Sequence, residues 1–278
     1  MTMKLTSIQK PFIVAVIAES TANKCLRQLR SAEKNGADAF EINIAQLKEK
    51  ELRKIFISTE KPCIASNRRP DFMKLYGYKN LAATNEETRV EKLLQTLENG
   101  AEVLDFELDT FTSKHESPPF GSQAETRYAL KSESKPTQFS THPETALRQR
   151  RLAQLIKSRG GEVLISCHTQ TRIRQNEILR IVQTIELRGA DLAKVVTHTF
   201  NVDDLVNFLR TVVKVKNSAR IPFNLMNFGV YSIPGRLLSA AFGSAWVYCR
   251  TGSLGFAGQP TVRQARTFLD ELRNSQNQ

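Results

Sequence analysis

Short apolar runs alternate along this chain with longer stretches in which apolar residues return every third or fourth position. Phe12-Ile13-Val14-Ala15-Val16-Ile17 is the first run, and Thr21 to Asn35 then carries helical spacing through Leu26, Leu29 and Ala32 until Gly36 stops it. The second run, Ala39 to Ile44, places Glu41 and Asn43 two positions apart, and therefore on one face of a strand. Leu47 to Ser58 reads as a helix, Pro62 to Arg68 as a third strand, Glu86 to Asn99 as a helix closed by Gly100, and Val103 to Leu108 as a fourth strand. From Ala146 the alternation resumes with a helix to Arg159, a strand Val163 to His168, a helix Asn176 to Leu187 and a strand Ala190 to Val196. It ends with a helix Val202 to Lys214, a strand Pro222 to Met226, a helix Gly235 to Phe242, a strand Ser244 to Cys249 and a helix Thr261 to Asn274. Eight strand signals, each followed by a helix signal, predict an α/β fold: one (β/α)8 TIM barrel spanning residues 1–278 as a single domain. A doubly wound open sheet is the competing arrangement. No GxGxxG follows the first strand, so its nucleotide-binding version lacks the usual marker.

The rhythm breaks once. Residues 110–145, after the fourth strand, are rich in Ser, Thr, Pro, Gln and Lys and show little apolar periodicity. So long a connection is unusual in a compact domain, and the pattern predicts a mobile insert within the barrel.

Composition narrows the class. The chain has 278 residues, 40% of them hydrophobic, enough to bury a sizeable core. No uncharged apolar run approaches the roughly 18 residues of a membrane span. Met1 to Lys10 has no signal-like apolar segment, so the expected location is the cytoplasm. Cys25, Cys63, Cys167 and Cys249 are far apart and show no CxxC spacing, which predicts buried reduced thiols. The formal net charge of +12 is concentrated in part on helix-like segments such as Arg148 to Arg151 and Lys157 to Arg159. A solvated helix face explains that better than a nucleic-acid footprint, since neither a zinc-finger spacing nor an RNP-type aromatic motif accompanies it. Neither a metal nor a cofactor is called for.

In a barrel the chemistry sits at the carboxy-terminal ends of the strands. Glu41, Asn43, Arg68, Glu107, His168, Lys194 and the segment Met226 to Arg236 all fall there. His168 and Lys194, 26 positions apart on consecutive strands, are expected to meet over one pocket. A lysine held among Leu192, Val195 and Val196 would be desolvated, freeing an amine to attack a ketone, and a neighbouring histidine can move protons near neutral pH.

Several segments taken in order carry a resemblance. They are Gly36-Ala37-Asp38-Ala39-Phe40-Glu41, Ile165-Ser166-Cys167-His168, Gly189-Ala190-Asp191-Leu192-Ala193-Lys194, Met226 through Gly229 to Arg236, and Gly258-Gln259. In that order and spacing the chain resembles the type I 3-dehydroquinate dehydratases, the Schiff-base enzymes of the shikimate pathway. The resemblance implies that Lys194 forms an imine with the substrate ketone and that His168 is the general acid and base. It also implies that Arg236 grips the substrate carboxylate, that Gln259 reaches in from a glycine-rich lid (Thr251 to Gln259), that Arg68 binds substrate oxygens, and that Glu41 orients the pocket.

The sequence departs from that family in three places. Asn43 stands where the second strand of the family carries the arginine of Glu-x-Arg. Arg69-Pro70-Asp71-Phe72-Met73 replaces a Glu-Gly-Gly segment whose glutamate helps hold the histidine, and that glutamate is absent unless Asp71 substitutes for it. Gly255 occupies a lid position that is usually Ser or Thr. The expected partner is a small-molecule carboxylate substrate, and a homodimer is left open. Two other readings stand beside the dehydratase: a Schiff-base lyase or aldolase acting on another carbonyl, and a non-catalytic sensor or binding protein of the same fold.

Overall fold

The computed structural model describes residues 3–74, 77–78, 84–112, 120–129, 135–251 and 258–276. The strands are β1 (Phe12–Ile17), β2 (Ala39–Asn43), β3 (Cys63–Ser66), β4 (Val103–Glu107), β5 (Glu162–His168), β6 (Leu192–His198), β7 (Phe223–Phe228) and β8 (Trp246–Arg250). All are parallel, in the order β7-β6-β5-β4-β3-β2-β1-β8. Hydrogen bonds join β7 to β8 and the residues just before it: Ala245 N donates to Phe223 O at 2.7 Å, Leu225 N to Ser244 Oγ at 3.0 Å, and the Asn224 amide to Trp246 O. The sheet thus comes close to full closure, and the predicted TIM barrel is the fold.

Period-two alternation divides the strands between two apolar layers. Ile13, Ala15, Phe40, Ile42, Leu104, Phe106, Ile165, Cys167, Ala193 and Val195 point outward into the layer shared with the helices. Phe12, Val14, Val16, Ala39, Ile64, Val103, Leu164, Leu192 and Trp246 fill the barrel interior. Burial on both faces is why the strands read as nearly continuous apolar runs. All four cysteines are free and buried, as their spacing implied. Among the described residues, no helix is long and apolar enough to cross a membrane.

Helix boundaries depart from the sequence pattern where caps decide them. The helix expected from Ala146 starts at Pro143 (α6, Pro143–Ser158), because proline at the first helical position is already set for the helix. The helix expected from Gly235 starts at Ser232 (α9, Ser232–Phe242). A five-residue helix, α3 (Pro70–Lys74), carries no periodic signal and was not expected. Arg150, Arg151, Lys157 and Arg159 are exposed on α6 and just beyond it, the solvated face their pattern suggested.

Within the stretch 110–145, residues 113–119 and 130–134 lie outside the described residues, so mobility there is untouched by the structure. Part of the remainder is packed against the barrel. Gln123–Ala129 forms a helix, α5, and Phe120, Glu125, Thr137, Gln138, Phe139 and Ser140 are all buried.

Candidate functional site

Toward the carboxy-terminal end of the barrel the inward-facing set turns polar, with Glu41 on β2, Ser66 on β3, Asp105 and Glu107 on β4, Ser166 and His168 on β5, and Lys194 on β6, all buried. Lys194 does not end its strand. β6 continues to His198, so the amine lies inside the barrel below its mouth. Leu192 and Val196 flank it on the inner face while Val195 faces the helices. The expected apolar cage is therefore replaced by an ionic one. Lys194 Nζ is 2.9 Å from Glu41 Oε2 and 3.4 Å from Asp105 Oδ2, and it lies 4.2 Å from the centre of the Tyr248 ring.

Arg68 is the second cation of this cluster. Its guanidinium pairs with Asp105, with Glu41 at 3.2 Å and with Glu107 at 3.3 Å, and donates to Ser166 Oγ at 3.1 Å. Behind it, Arg89 pairs with Glu107 at 2.8 Å and Arg69 with Asp109 at 2.8 Å, and both arginines pair with Glu86. Burial pushes the Glu41 carboxyl up, but the adjacent charges of Lys194 and Arg68 outweigh it and hold the group at about 2. Burial raises the Asp105 carboxyl despite the opposing pull of Arg68 and Lys194. A buried charge persists only when its partners offset the desolvation cost, which is why these residues come as a network.

His168 closes the other side. Its Nδ1 lies 2.8 Å from Gln138 Oε1, and its ring packs edge-on against Phe72 at 5.0 Å and beside Phe120 at 5.5 Å. Burial first, then the positive charges of Lys194, Arg68 and Arg236, hold the imidazole well below its ordinary 6.5, so it is neutral at pH 7. Asp71 does not take the place of the missing glutamate. It pairs with Lys74 at 2.8 Å at the surface, and Phe72, one residue on, meets the histidine ring.

Glu41, His168, Lys194, Arg236 and Gln259 line one cavity of about 20 Å³, together with Phe72, Met226, Phe228 and Tyr248. Two residues picked out from the sequence stand apart from it. Arg68 is 2% exposed and braces Glu41 from behind. Asn43 donates to Met73 Sδ at 3.1 Å and accepts from Ala45 N at 3.0 Å, so its amide is occupied away from the cavity.

Arg236 is steered by its own helix and by β7. Nε donates to Asn227 O at 3.2 Å, and Nη1 lies 2.9 Å from Met226 Sδ. The turn between β7 and α9 needs Gly229, which has φ +102° and where a Cβ would come within 2.1 Å of Thr199 O. Gln259 is buried, and its Oε1 has no hydrogen-bond partner among the described residues. The lid expected over Thr251 to Gln259 falls mostly on residues 252–257, outside the described residues. Its anchors are visible: Thr251 Oγ1 donates to Val16 O at 3.0 Å, and Gly258 passes so near Ser232 that a Cβ would lie 2.0 Å from its Oγ.

A larger cleft of about 420 Å³, lined by Arg172, Gln175, His198, Asp204 and Arg210, shares no residue with this cavity. Arg172 is already paired with Asp204 there at 2.9 Å. The titratable cluster makes the smaller cavity the candidate chemical site.

Asp105 is legible in the sequence. It lies two positions before Glu107 and so shares its inward face. Gln138 and Tyr248 had no comparable signal, since one lies in an aperiodic polar stretch and the other in an apolar run.

Comparison with known proteins places these observations. Residues 141–276 match the sequence model of the type I 3-dehydroquinase family. A 3-dehydroquinate dehydratase of Aromatoleum aromaticum is 28% identical over 100 residues, a stretch covering 36% of this chain and only 38% of that protein. Among solved structures, a type I 3-dehydroquinate dehydratase from Clostridium difficile, carrying covalently modified comenic acid, superimposes with a TM-score of 0.75. It is 16% identical, and the match covers 98% of each chain. The 3-dehydroquinate dehydratase of Geobacillus kaustophilus gives 0.74 at 18% identity over 98% of this chain and 96% of that one. By sequence over residues 141–276 the chain is similar to the type I 3-dehydroquinase family, and over nearly its whole length it shares the fold of the solved 3-dehydroquinate dehydratases.

Proposed function

We propose that the protein is a hydro-lyase that dehydrates 3-dehydroquinate to 3-dehydroshikimate through an imine on Lys194. The observation that carries the reading is the convergence of a buried lysine, a neutral buried histidine and an arginine on one cavity. The Lys194 amine adds to the ring ketone, and loss of water from the carbinolamine gives the imine. That imine draws electrons from the adjacent carbon, whose proton passes to His168 and leaves an enamine. The enamine then expels the neighbouring hydroxyl, which takes the histidine's proton and departs as water, and water hydrolyses the resulting imine to release the enone. Asp105, at 3.4 Å and with its carboxyl raised, is better suited than Glu41 to accept the lysine proton before attack. Arg236 supplies the forked donors for the substrate carboxylate. The cavity holds little more than a water molecule as it stands, so a ring-sized substrate enters only with a rearrangement of its lining side chains.

Two observations support a second reading, a Schiff-base lyase acting on a less hydroxylated keto acid. Asn43 is bonded to Met73 and Ala45 and does not line the cavity, and Phe72 and Phe228 make part of the wall apolar. One experiment separates the readings. Incubation with 3-dehydroquinate should generate conjugated-enone absorbance, and borohydride added during turnover should leave a secondary amine on Lys194. An adduct on Lys194 with another keto acid but no enone from 3-dehydroquinate selects the lyase. No adduct with any carbonyl removes imine chemistry and leaves a binding protein.

A further inference from the structure

The stretch 135–140 runs alongside the end of β5 and is tied to it by backbone and side chain. Cys167 Sγ lies 3.2 Å from Thr137 O, and the His168 backbone N–H meets Gln138 Oε1 at 2.9 Å. A backbone N–H can only donate, so the atom it faces is the amide oxygen of Gln138 and not its nitrogen. That same oxygen lies 2.8 Å from His168 Nδ1. Two acceptors cannot bond to each other, so in the neutral ring Nδ1 carries the hydrogen and Nε2 keeps its lone pair. We propose that Gln138 is the positioning residue of His168, fixing the ring plane and the Nδ1–H tautomer so that a bare Nε2 is available as the base in the cavity lined by Lys194 and Arg236. The catalytic meaning of this rests on the proposed function, whereas the tautomer itself does not.

The backbone supports the assignment independently. Gln138 has φ +52°, a left-handed conformation uncommon for a residue with a side chain, yet it is 4% exposed and held there by its contacts to His168. Strain of this kind persists where the surroundings over-determine it, and functional sites are where it gathers. The rings of Phe72 and Phe120 limit rotation of the imidazole on its other faces.

The choice of an amide has a chemical consequence. The charged groups acting on the ring are Lys194 on β6, Arg68 beyond β3 and Arg236 on α9, all cationic, while Glu41 and Asp105 are engaged by Lys194 and Arg68. On the insert side, Glu125 of α5 reaches the His168 main chain through Thr137. Gln138 therefore orients His168 without adding a negative charge that would favour imidazolium, and the histidine remains a base through the neutral range.

Nitrogen NMR of the full chain labelled with ¹⁵N-histidine, assigned with a His168→Asn variant, reads the tautomer directly. The expected spectrum has Nδ1 protonated and Nε2 bare in the wild type, with the single tautomer lost in Gln138→Leu. In that variant kcat on 3-dehydroquinate should fall roughly tenfold to a hundredfold with KM little changed, since a misoriented base slows chemistry more than binding. Gln138→Glu should move the acid limb of the kcat/KM profile up by about one pH unit or more, because a carboxylate stabilises the imidazolium. An Nε2–H tautomer in the wild type overturns the proposal, as does a folded Gln138→Leu that keeps both tautomer and kcat. Should Gln138→Leu not fold, the wild-type tautomer and the Gln138→Glu profile decide. Should 3-dehydroquinate not be turned over at all, the activity reading fails, and the NMR comparison still decides the role of Gln138.

Discussion

Lys194, Glu41 and Arg68 share charge in a space closed to water, and none of them can be changed alone without leaving another buried and underpaired. Lys194→Met removes the amine on which the imine depends and strips Glu41 of its foremost counter-charge. A loss of about 3–5 kcal/mol at pH 7 is expected, the usual range for breaking a buried pair from one side. Urea denaturation should show part of that loss restored in Lys194→Met/Glu41→Gln, with a coupling of about 1–3 kcal/mol. Strict additivity would mean that the 2.9 Å contact carries no energy. The sign with pH follows from the carboxyl. Glu41 sits at about 2 when folded against 4.5 when free, so its contribution is present above 4.5 and disappears as pH falls through 2. Without Lys194 its folded value rises, so the variant's deficit should shrink on going from pH 7 to pH 4. At this scale the sequence was informative wherever strand parity applied. Glu41, His168 and Lys194 could be placed because alternate positions face inward. Arg68 keeps the inward parity of Ile64 and Ser66 but spends its guanidinium on Glu41, Asp105 and Glu107, and Asn43 spends its amide on Met73 and Ala45; parity gives the face, and tertiary partners decide what the side chain reaches.

The stretch 110–145 shows the limit of reading elements from periodicity. Among its described residues the anchors are Phe120, Phe139 and a set of polar side chains buried by hydrogen bonds, which produce no apolar rhythm. Glu125 is fully buried on α5, accepting from Thr137 Oγ1 at 2.6 Å, Gly121 N at 2.6 Å and Gln170 N at 3.2 Å. Burial nevertheless lifts its carboxyl to about 7, those hydrogen bonds pulling the other way. A carboxyl raised from 4.5 to about 7 contributes stability that is complete below 4.5 and is lost as pH rises through 7. At about 1.4 kcal/mol per unit, the swing is on the order of 3 kcal/mol. Glu125→Gln cannot titrate, so its stability relative to wild type should improve by a few kcal/mol between pH 4.5 and pH 8.5. Chemical denaturation at both ends of that range tests it. A difference that stays constant with pH would show Glu125 to be ionised throughout.

The whole molecule was legible because a closed parallel barrel imposes one repeated instruction: an apolar strand, then a helix with one apolar face, eight times over. What stayed hidden was the closure itself, where Ser244 and Asn224 span the join between β7 and β8, since nothing in a strand's composition names its partner. The net charge of +12 acts at this same scale. Its field reaches over a screening length of about 30 Å at 10 mM salt but only about 8 Å at 150 mM. A carboxylate substrate approaching a positively charged protein is drawn in at low salt, whereas catalysis within a closed, buried site does not sense the bulk ions. Raising salt from 10 to 150 mM should therefore lower kcat/KM on 3-dehydroquinate roughly twofold to tenfold and leave kcat unchanged. The same titration against duplex DNA discriminates the alternative use of the charge, because neutralising several phosphates would give a steep log–log slope where one carboxylate gives a shallow one. A kcat/KM indifferent to salt, together with steep salt dependence on DNA, would move the function of the basic surface away from the barrel mouth and toward a nucleic-acid partner.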